Sequence, residues 1–384
     1  MKVVDVSVSV IRNPPPSFAT RHFVLVRVTT DDGLVGWGEV APTVLSPAIA
    51  GAVIVEAADR VLVGHDPRQI EAMWTRVGAA PEPMTIAVVG ALEIACWDIV
   101  GKAVDRPVHE LLGGRAHTSL RAATVLYPST GFREVRTNHE HAAARAANEV
   151  ERGFSALVFD AANSTPSSAP AMPTQDDVVA TTQMLASVRS AVGTDADVVV
   201  RMGGAYTAAA AVRLAHELEA FDPLWLDQPC SDDRPDALAV VSSGSSAPVG
   251  AGATLSTAAS FAALARAGAA GVWRPDPGRC GGILAARKVA ALAEANGVLI
   301  APTMSGGPVL GAAVVQFAVA TANLLVVEGV REWGGIHADL LTTPMPWNAG
   351  RIDAPEGPGL GIEIDIDVAN RHAWTDAPLP PPPA

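Results

Sequence analysis

The stretch VVVRMGGAYT at Val198–Thr207, followed by PLWLDQP at Pro223–Pro229, decides the fold. Each run is a short apolar segment ending on a charged side chain, Arg201 in the first and Asp227 in the second, and a helical pattern from Thr207 to Glu219 separates them. Short continuous apolar runs read as strands buried on both faces, and strand, helix, strand is the repeat of a parallel sheet.

The same alternation extends on both sides. Strand signals lie at Leu120–Tyr127, Ala156–Asp160, Asp197–Met202, Leu224–Asp227, Pro248–Gly252, Gly271–Arg274, Val298–Ala301 and Leu324–Glu328. Helical runs at Asp176–Ala191, Thr207–Glu219, Thr257–Ala267, Gly282–Asn296 and Val309–Ala320 fall between them. Eight such strands favour a closed (β/α) barrel over an open doubly wound sheet. Function then belongs at the C-terminal strand ends, which hold Tyr127, Val158 to Asp160, Arg201, Asp227, Gly252, Ala253, Arg274 to Asp276, Thr303 and Glu328.

The N-terminal part reads differently. Alternating β-branched residues at Lys2–Asn13 and His22–Thr30 predict two strands, and Asp31-Asp32-Gly33 makes a hairpin turn into a third at Leu34–Val40. Helices follow at Ala48–Val63, Pro67–Val77 and Met84–Lys102. This is an α+β pattern. The expected organisation is residues 1–115 as an α+β domain, 116–345 as the barrel, and 346–384 as a segment returning to the first domain. A strand is expected at Ile362–Ile366 and a disordered Pro-rich end after it.

Composition narrows the partners. The formal charge of −13 argues against nucleic acid or an anionic membrane. Cys96, Cys230 and Cys280 form no paired motif, which fits buried thiols in a reducing, cytoplasmic setting. No signal-peptide pattern opens the chain. The run Gly311–Glu328 carries Gln316, Thr321 and Asn323 and reads as a buried helix followed by a strand, not as a membrane span.

Five segments carry a resemblance: VRVTTDDGLVGWGE (Val26–Glu39), ALEIACWDIVGKAVDRPVHELLGG (Ala91–Gly114), GGAYTAAAAVRLAHELE (Gly203–Glu219), RPDPGRCGGILAARKVAALAEANGV (Arg274–Val298) and GLGIEID (Gly359–Asp365). In these the chain resembles the enolase superfamily, in its mandelate racemase and sugar-acid dehydratase branch. The resemblance implies a capping domain over a modified (β/α)7β TIM-type barrel, and homo-oligomers. It also implies a lyase or isomerase activity, in which a proton α to a carboxylate is abstracted and Mg²⁺ stabilises the enediolate. Its metal carboxylates end the third, fourth and fifth strands; its base is a lysine of the second strand or an Asp-His pair of the sixth and seventh.

The chain departs from that pattern. Arg201 stands at the first metal position, Gly203 where Asn is frequent, Asp227 in place of a glutamate, and Ala253 beside the third position. Val158 takes the lysine position and Thr303 the histidine position; Asp276 and Glu328 keep their types. The expectation is therefore a metal-free site without cofactor, in which only Asp227 is left as a ligand and Arg201 pairs with it. Two meanings stay open: a satisfied ion pair without function, or an arginine that holds a ligand carboxylate.

Asp276 and Glu328 are the candidate acid/base pair, tuned by Arg274 or Arg279, with a structural remnant as the competing meaning. Tyr127, Thr303 and His22, with Phe18, are candidate ligand contacts. Asp197 lies four residues below Arg201, about 13 Å down a strand, and cannot substitute as a ligand; Asp232 and Asp233 are expected to be solvated loop charges. The function expected is a metal-independent binder of a small carboxylic acid or a catalytically silent relative, the alternative being a divergent sugar-acid dehydratase or racemase.

Overall fold

Alternation at the N-terminus produces β1 (Val3–Arg12), β2 (His22–Thr30) and β3 (Val35–Val40), an antiparallel meander in that order. The computed structural model describes residues 1–14, 21–41, 47–79, 81–126, 138–161, 171–328, 334–348 and 350–375. Helices α1 (Pro47–Val61), α2 (Ile70–Val77) and α3 (Pro83–Ala103) complete the capping domain.

Helix α3 is the pivot of the molecule. β3 lies directly on it because a Cβ at Gly36 would come within 2.2 Å of the Ala95 carbonyl oxygen, and one at Gly38 within 2.0 Å of that of Ala91. Among the described residues it is the one helix long and apolar enough to cross a membrane, yet 78% of its apolar window is buried inside this protein. The polar residues Glu93 and Asp98 are buried on it too, so it serves as a core helix.

The barrel follows: β4 (Leu120–Val125), β5 (Ala156–Asp160), β6 (Asp197–Arg201), β7 (Trp225–Asp227), β8 (Val249–Ala251), β9 (Val272–Trp273), β10 (Leu299–Ile300) and β11 (Val327–Glu328). All neighbours are parallel, β11 pairs with β4, and bridges Ile300–Leu324 and Thr303–Glu328 close the last seam. Each strand from β4 to β10 is followed by a helix, whereas β11 leads only to the short helix Ile336–Asp339; this is the modified (β/α)7β barrel. Ala123, Ala156, Val158, Val199, Trp225, Val272, Ala301 and Val326 fill its interior as an apolar layer.

Three elements differ from the sequence reading. The helices His139–Glu151 and Pro235–Ser243 have no strong apolar stripe; the first buries only Ala142, Ala146 and Glu149, and Glu149 is neutralised by Arg145 and Arg152. The segment Ile362–Ile366 is not a strand: Ile364 makes one bridge to Leu341, and Asp365 caps the helix Ile366–Arg371. The C-terminal segment reaches the capping domain by way of the barrel. Its hairpin, β12 (Trp347–Asn348) and β13 (Arg351–Ile352), adds to β4, and only afterwards does Trp374 donate to Val10 of β1. The Pro-rich end from 376 on, and Phe18 near the start, lie outside the described residues.

Buried carboxylates fasten the two parts together. Glu93 accepts from the amides of Ile283 and Leu284 at the start of the helix Ile283–Ala295, and from Trp97 Nε1. Gly282 precedes that helix at φ 94°, and a Cβ there would lie 1.9 Å from Glu93 Oε2. Glu39, at the end of β3, accepts from Gly307 and Leu310 at the start of the helix Pro308–Val319. Asp98 accepts from Trp37 and Leu360 and pairs with Lys102.

Burial pushes Glu39 and Glu93 from 4.5 to about 7, and Asp98 from 3.8 to about 6, against the hydrogen bonds that favour their ionised forms. Between the ordinary and the raised values the folded state holds protons that the unfolded chain releases. Stability from these groups is therefore full below about pH 4 and falls as pH rises towards 7. In urea denaturation measured from pH 5 to pH 8, Glu93→Gln should show a shallower loss of stability with pH than the wild type. Glu93→Ala, which leaves three donors without an acceptor, should lower stability by about 2 kcal/mol.

Candidate functional site

Strand parity builds the site. Successive side chains alternate faces, so residues two positions beyond the apolar interior layer point inward again, about 7 Å higher. From Val158, Val199, Trp225, Val272, Ala301 and Val326 this gives Asp160, Arg201, Asp227, Arg274, Thr303 and Glu328 at the C-terminal mouth. Register agrees: Asp160 pairs with Arg201 across β5 and β6, and Arg201 with Asp227 across β6 and β7.

Five of these form one charged ring. Arg274 sends Nη1 to Asp227 Oδ2 and Nη2 to Glu328 Oε2. Arg201 bonds Glu328 Oε1 through Nη2, stands 3.5 Å from Asp227 Oδ2 through Nε, and reaches 3.8 Å from Asp160 Oδ1 through Nη1. Trp225 Nε1 donates to Asp227 Oδ1 at 3.3 Å. The Arg201–Asp227 contact is thus one side of a wider network in which Arg274 holds Asp227 more closely.

Depth grades the ring. The side chains of Asp227 and Arg274 are 0% and 2% exposed, against 12% for Asp160 and Glu328 and 17% for Arg201. Burial alone opposes ionisation of Glu328, but the guanidinia of Arg201 and Arg274 more than offset it and hold its carboxyl below the ordinary value. Arg274 is the mirror case: burial works against its charge, and Asp227 and Glu328 raise its pKa.

The other predicted residues separate from this ring. Asp276 is buried and caps the short helix Pro277–Cys280 through Gly278; Arg279 lies 3.7 Å away, and Thr303 and Ser305 are beside it. Burial raises its pKa, which favours the neutral acid. Asp276 and Glu328 are therefore held by different partners. Thr303 bridges the seam to Glu328 through its backbone. His22 heads β2, where its ring stands edge-on to Trp374 at 5.3 Å. Tyr127 lies outside the described residues.

Two further positions are corrected or added. Asp232 is not a solvated loop charge: it is 2% exposed and accepts from Gly252 and Thr254 amides, Thr254 Oγ1 and Gln228 Nε2. Ala253 lies in the turn after β8, beside Thr254. Asp160 stands among the strand-end positions of the sequence reading without a role, and Arg274 enters there only as a neighbour tuning Asp276 and Glu328; the structure places Asp160 beside Arg201 and bonds Arg274 to Asp227 as well as to Glu328. Among the described residues no three His, Cys, Asp or Glu side chains group as a metal site.

Removing Arg274 would leave Asp227 buried beside only the more distant guanidinium of Arg201. Arg274→Ala should therefore cost about 3 kcal/mol of stability in urea denaturation, and Arg201→Ala, at the more exposed position, clearly less.

Comparison with known proteins fits this architecture. Residues 3–113 match the model of the mandelate racemase / muconate lactonizing enzyme N-terminal domain, and residues 141–368 match the enolase C-terminal domain-like model. The chain is 32% identical to a D-galactarolactone cycloisomerase of Agrobacterium fabrum, covering 95% of this chain and 93% of that protein. It is 30% identical to a D-gluconate dehydratase of Thermoproteus tenax, over 94% and 71%. A mandelate racemase/muconate lactonizing enzyme structure from Jannaschia sp. superposes with a TM-score of 0.93 at 36% identity, covering 99% of each chain. A like protein from Roseovarius sp. gives 0.94 at 37%, over 99% and 97%. With both domain models matched along almost its whole length, this chain belongs to the mandelate racemase/muconate lactonizing enzyme family of the enolase superfamily.

Proposed function

We propose that the chain binds a small carboxylic acid at the charged ring and does so without Mg²⁺. The observation that carries this reading is the presence of two guanidinia among the carboxylates at the strand ends, Arg274 on Asp227 and Glu328, and Arg201 on Glu328.

The family's cation does not fit these residues. A hard divalent ion needs several oxygens with open lone pairs, and here Asp227 and Glu328 already bond to guanidinium groups. A second cation would sit against two fixed positive charges. Arg201, the more exposed of the two, supplies planar donors suited to a carboxylate. The reading includes a cytoplasmic homo-oligomer with no nucleic-acid or membrane partner.

A second reading, a divergent sugar-acid dehydratase or racemase, draws support from the acid-sugar names of the relatives. Thermal unfolding with a panel of small carboxylic acids and acid sugars separates the two. In EDTA, at least one acid should raise the melting temperature of the wild type and not of Arg201→Ala, and millimolar Mg²⁺ should add nothing. Mg²⁺-dependent turnover of an acid sugar, or a Mg²⁺-induced rise in melting temperature lost in Asp227→Ala, would overturn the metal-free reading in favour of the dehydratase.

A further inference from the structure

A cavity of about 180 Å³ lies at the junction of the capping domain and the barrel, apart from the charged ring. Its body is apolar. Trp74 of α2 and Ile86 of α3 supply the capping-domain side, and Leu284 and Ala285 of the helix Ile283–Ala295 supply the barrel side. These walls are preformed. Gly281, at φ 101°, makes room for the Trp74 ring, since a Cβ there would lie 2.9 Å from Trp74 Cζ2 and 3.4 Å from Ile86 Cγ2. Glu93 of α3 holds the start of the facing helix through the amides of Ile283 and Leu284.

Three polar side chains also line the cavity, Ser256, Thr257 and Lys288. Thr257 Oγ1 is engaged in capping the helix Ala258–Ala267, where it accepts from the Ser260 amide at 3.1 Å and bonds Ser260 Oγ at 2.8 Å. The Lys288 ammonium is taken by Glu71 of the capping domain at 2.7 Å. That leaves Ser256 Oγ, which has no hydrogen-bond partner among the described residues.

The chemistry of the guest follows from this lining. A held water needs about two to four polar partners, whereas these side chains offer one unengaged hydroxyl, so a guest with an apolar body displaces water at a gain. An apolar cavity of about 150 Å³ accommodates benzene. The space here suits an aromatic ring with a small substituent or a fused pair. Because the ammonium is already paired, a carboxylate drawn to Lys288 would meet Glu71 instead of an open charge. We infer that this junction cavity is a binding site for a small uncharged aromatic molecule with one hydrogen-bonding group, of the indole or phenol type. Its ring lies between Trp74 and Leu284 and its polar atom meets Ser256 Oγ. Such a guest touches both domains and joins them, independently of any acid at the ring.

Fluorine NMR titration of the full chain with 5-fluoroindole and 4-fluorophenol, each beside fluorobenzene, tests the site. The two polar probes should bind about threefold or more tightly than fluorobenzene, the effect of one hydrogen bond. Ser256→Ala should abolish that difference and leave fluorobenzene unchanged. Ala285→Phe, which fills the space, should weaken all three by about tenfold or more, with retained folding checked by circular dichroism. 5-Fluoroindole-2-carboxylate should bind no better than 5-fluoroindole, and crystals soaked with 4-bromophenol should show anomalous bromine density between Trp74 and Leu284. Equal binding of fluorobenzene and the polar probes, tighter binding of the carboxylate, no binding of any neutral probe, or bromine density only at another place would each overturn the inference. The wild-type titrations and the bromine position decide even where a variant does not fold.

Discussion

One guanidinium holds the barrel mouth together. Arg274 is sealed from solvent and bonds carboxylates from two strands that are not neighbours in the sheet, β7 and β11, so it spans the interior of the barrel. Parity leaves no choice about where these side chains go: a strand that buries Val272 or Trp225 in the interior must also turn Arg274 or Asp227 inward. Charges so placed cannot be solvated by bulk water and must be matched by one another. The ring is the result, and every functional reading of the mouth starts from its occupied donors and acceptors.

A similar demand governs the junction of capping domain and barrel. Helix starts carry unsatisfied amides and a partial positive charge, and two barrel helices begin at buried positions. Glu93 and Glu39 meet those amides from the capping side. Placing carboxylates there keeps the domains in one relation, at the expense of groups that burial pushes towards neutrality. Glu39 also approaches the site, since Asp276 lies close enough to raise its pKa further.

Much of the fold was legible in the sequence. The eight strands, most of the helices and the meander of the capping domain show periodicity or turn chemistry that survives in the structure, with ends shifted by a few residues. The failures have physical causes. His139–Glu151 packs by alanine and by a neutralised glutamate, which leaves no apolar stripe to count. Ile362–Ile366 alternates like a strand, but its backbone finds only one bridge, at Leu341, and Asp365 turns the chain into a helix instead. Asp232 looks like loop charge because nothing local shows that Gly252, Thr254 and Gln228 converge on it.

By itself the sequence determined the family, the barrel, and the charged identity of Arg201, Asp227 and Glu328 at strand ends, because strand position and side-chain parity are local properties. Which charges meet was decided by closure of the barrel, since β5, β6, β7, β9 and β11 come together only in three dimensions. Tertiary structure thus made Arg274 the partner of Asp227, sent Asp276 to a helix cap, and set Asp160 beside Arg201. Pairing between strands distant in the chain depends on that closure, and no local pattern records it.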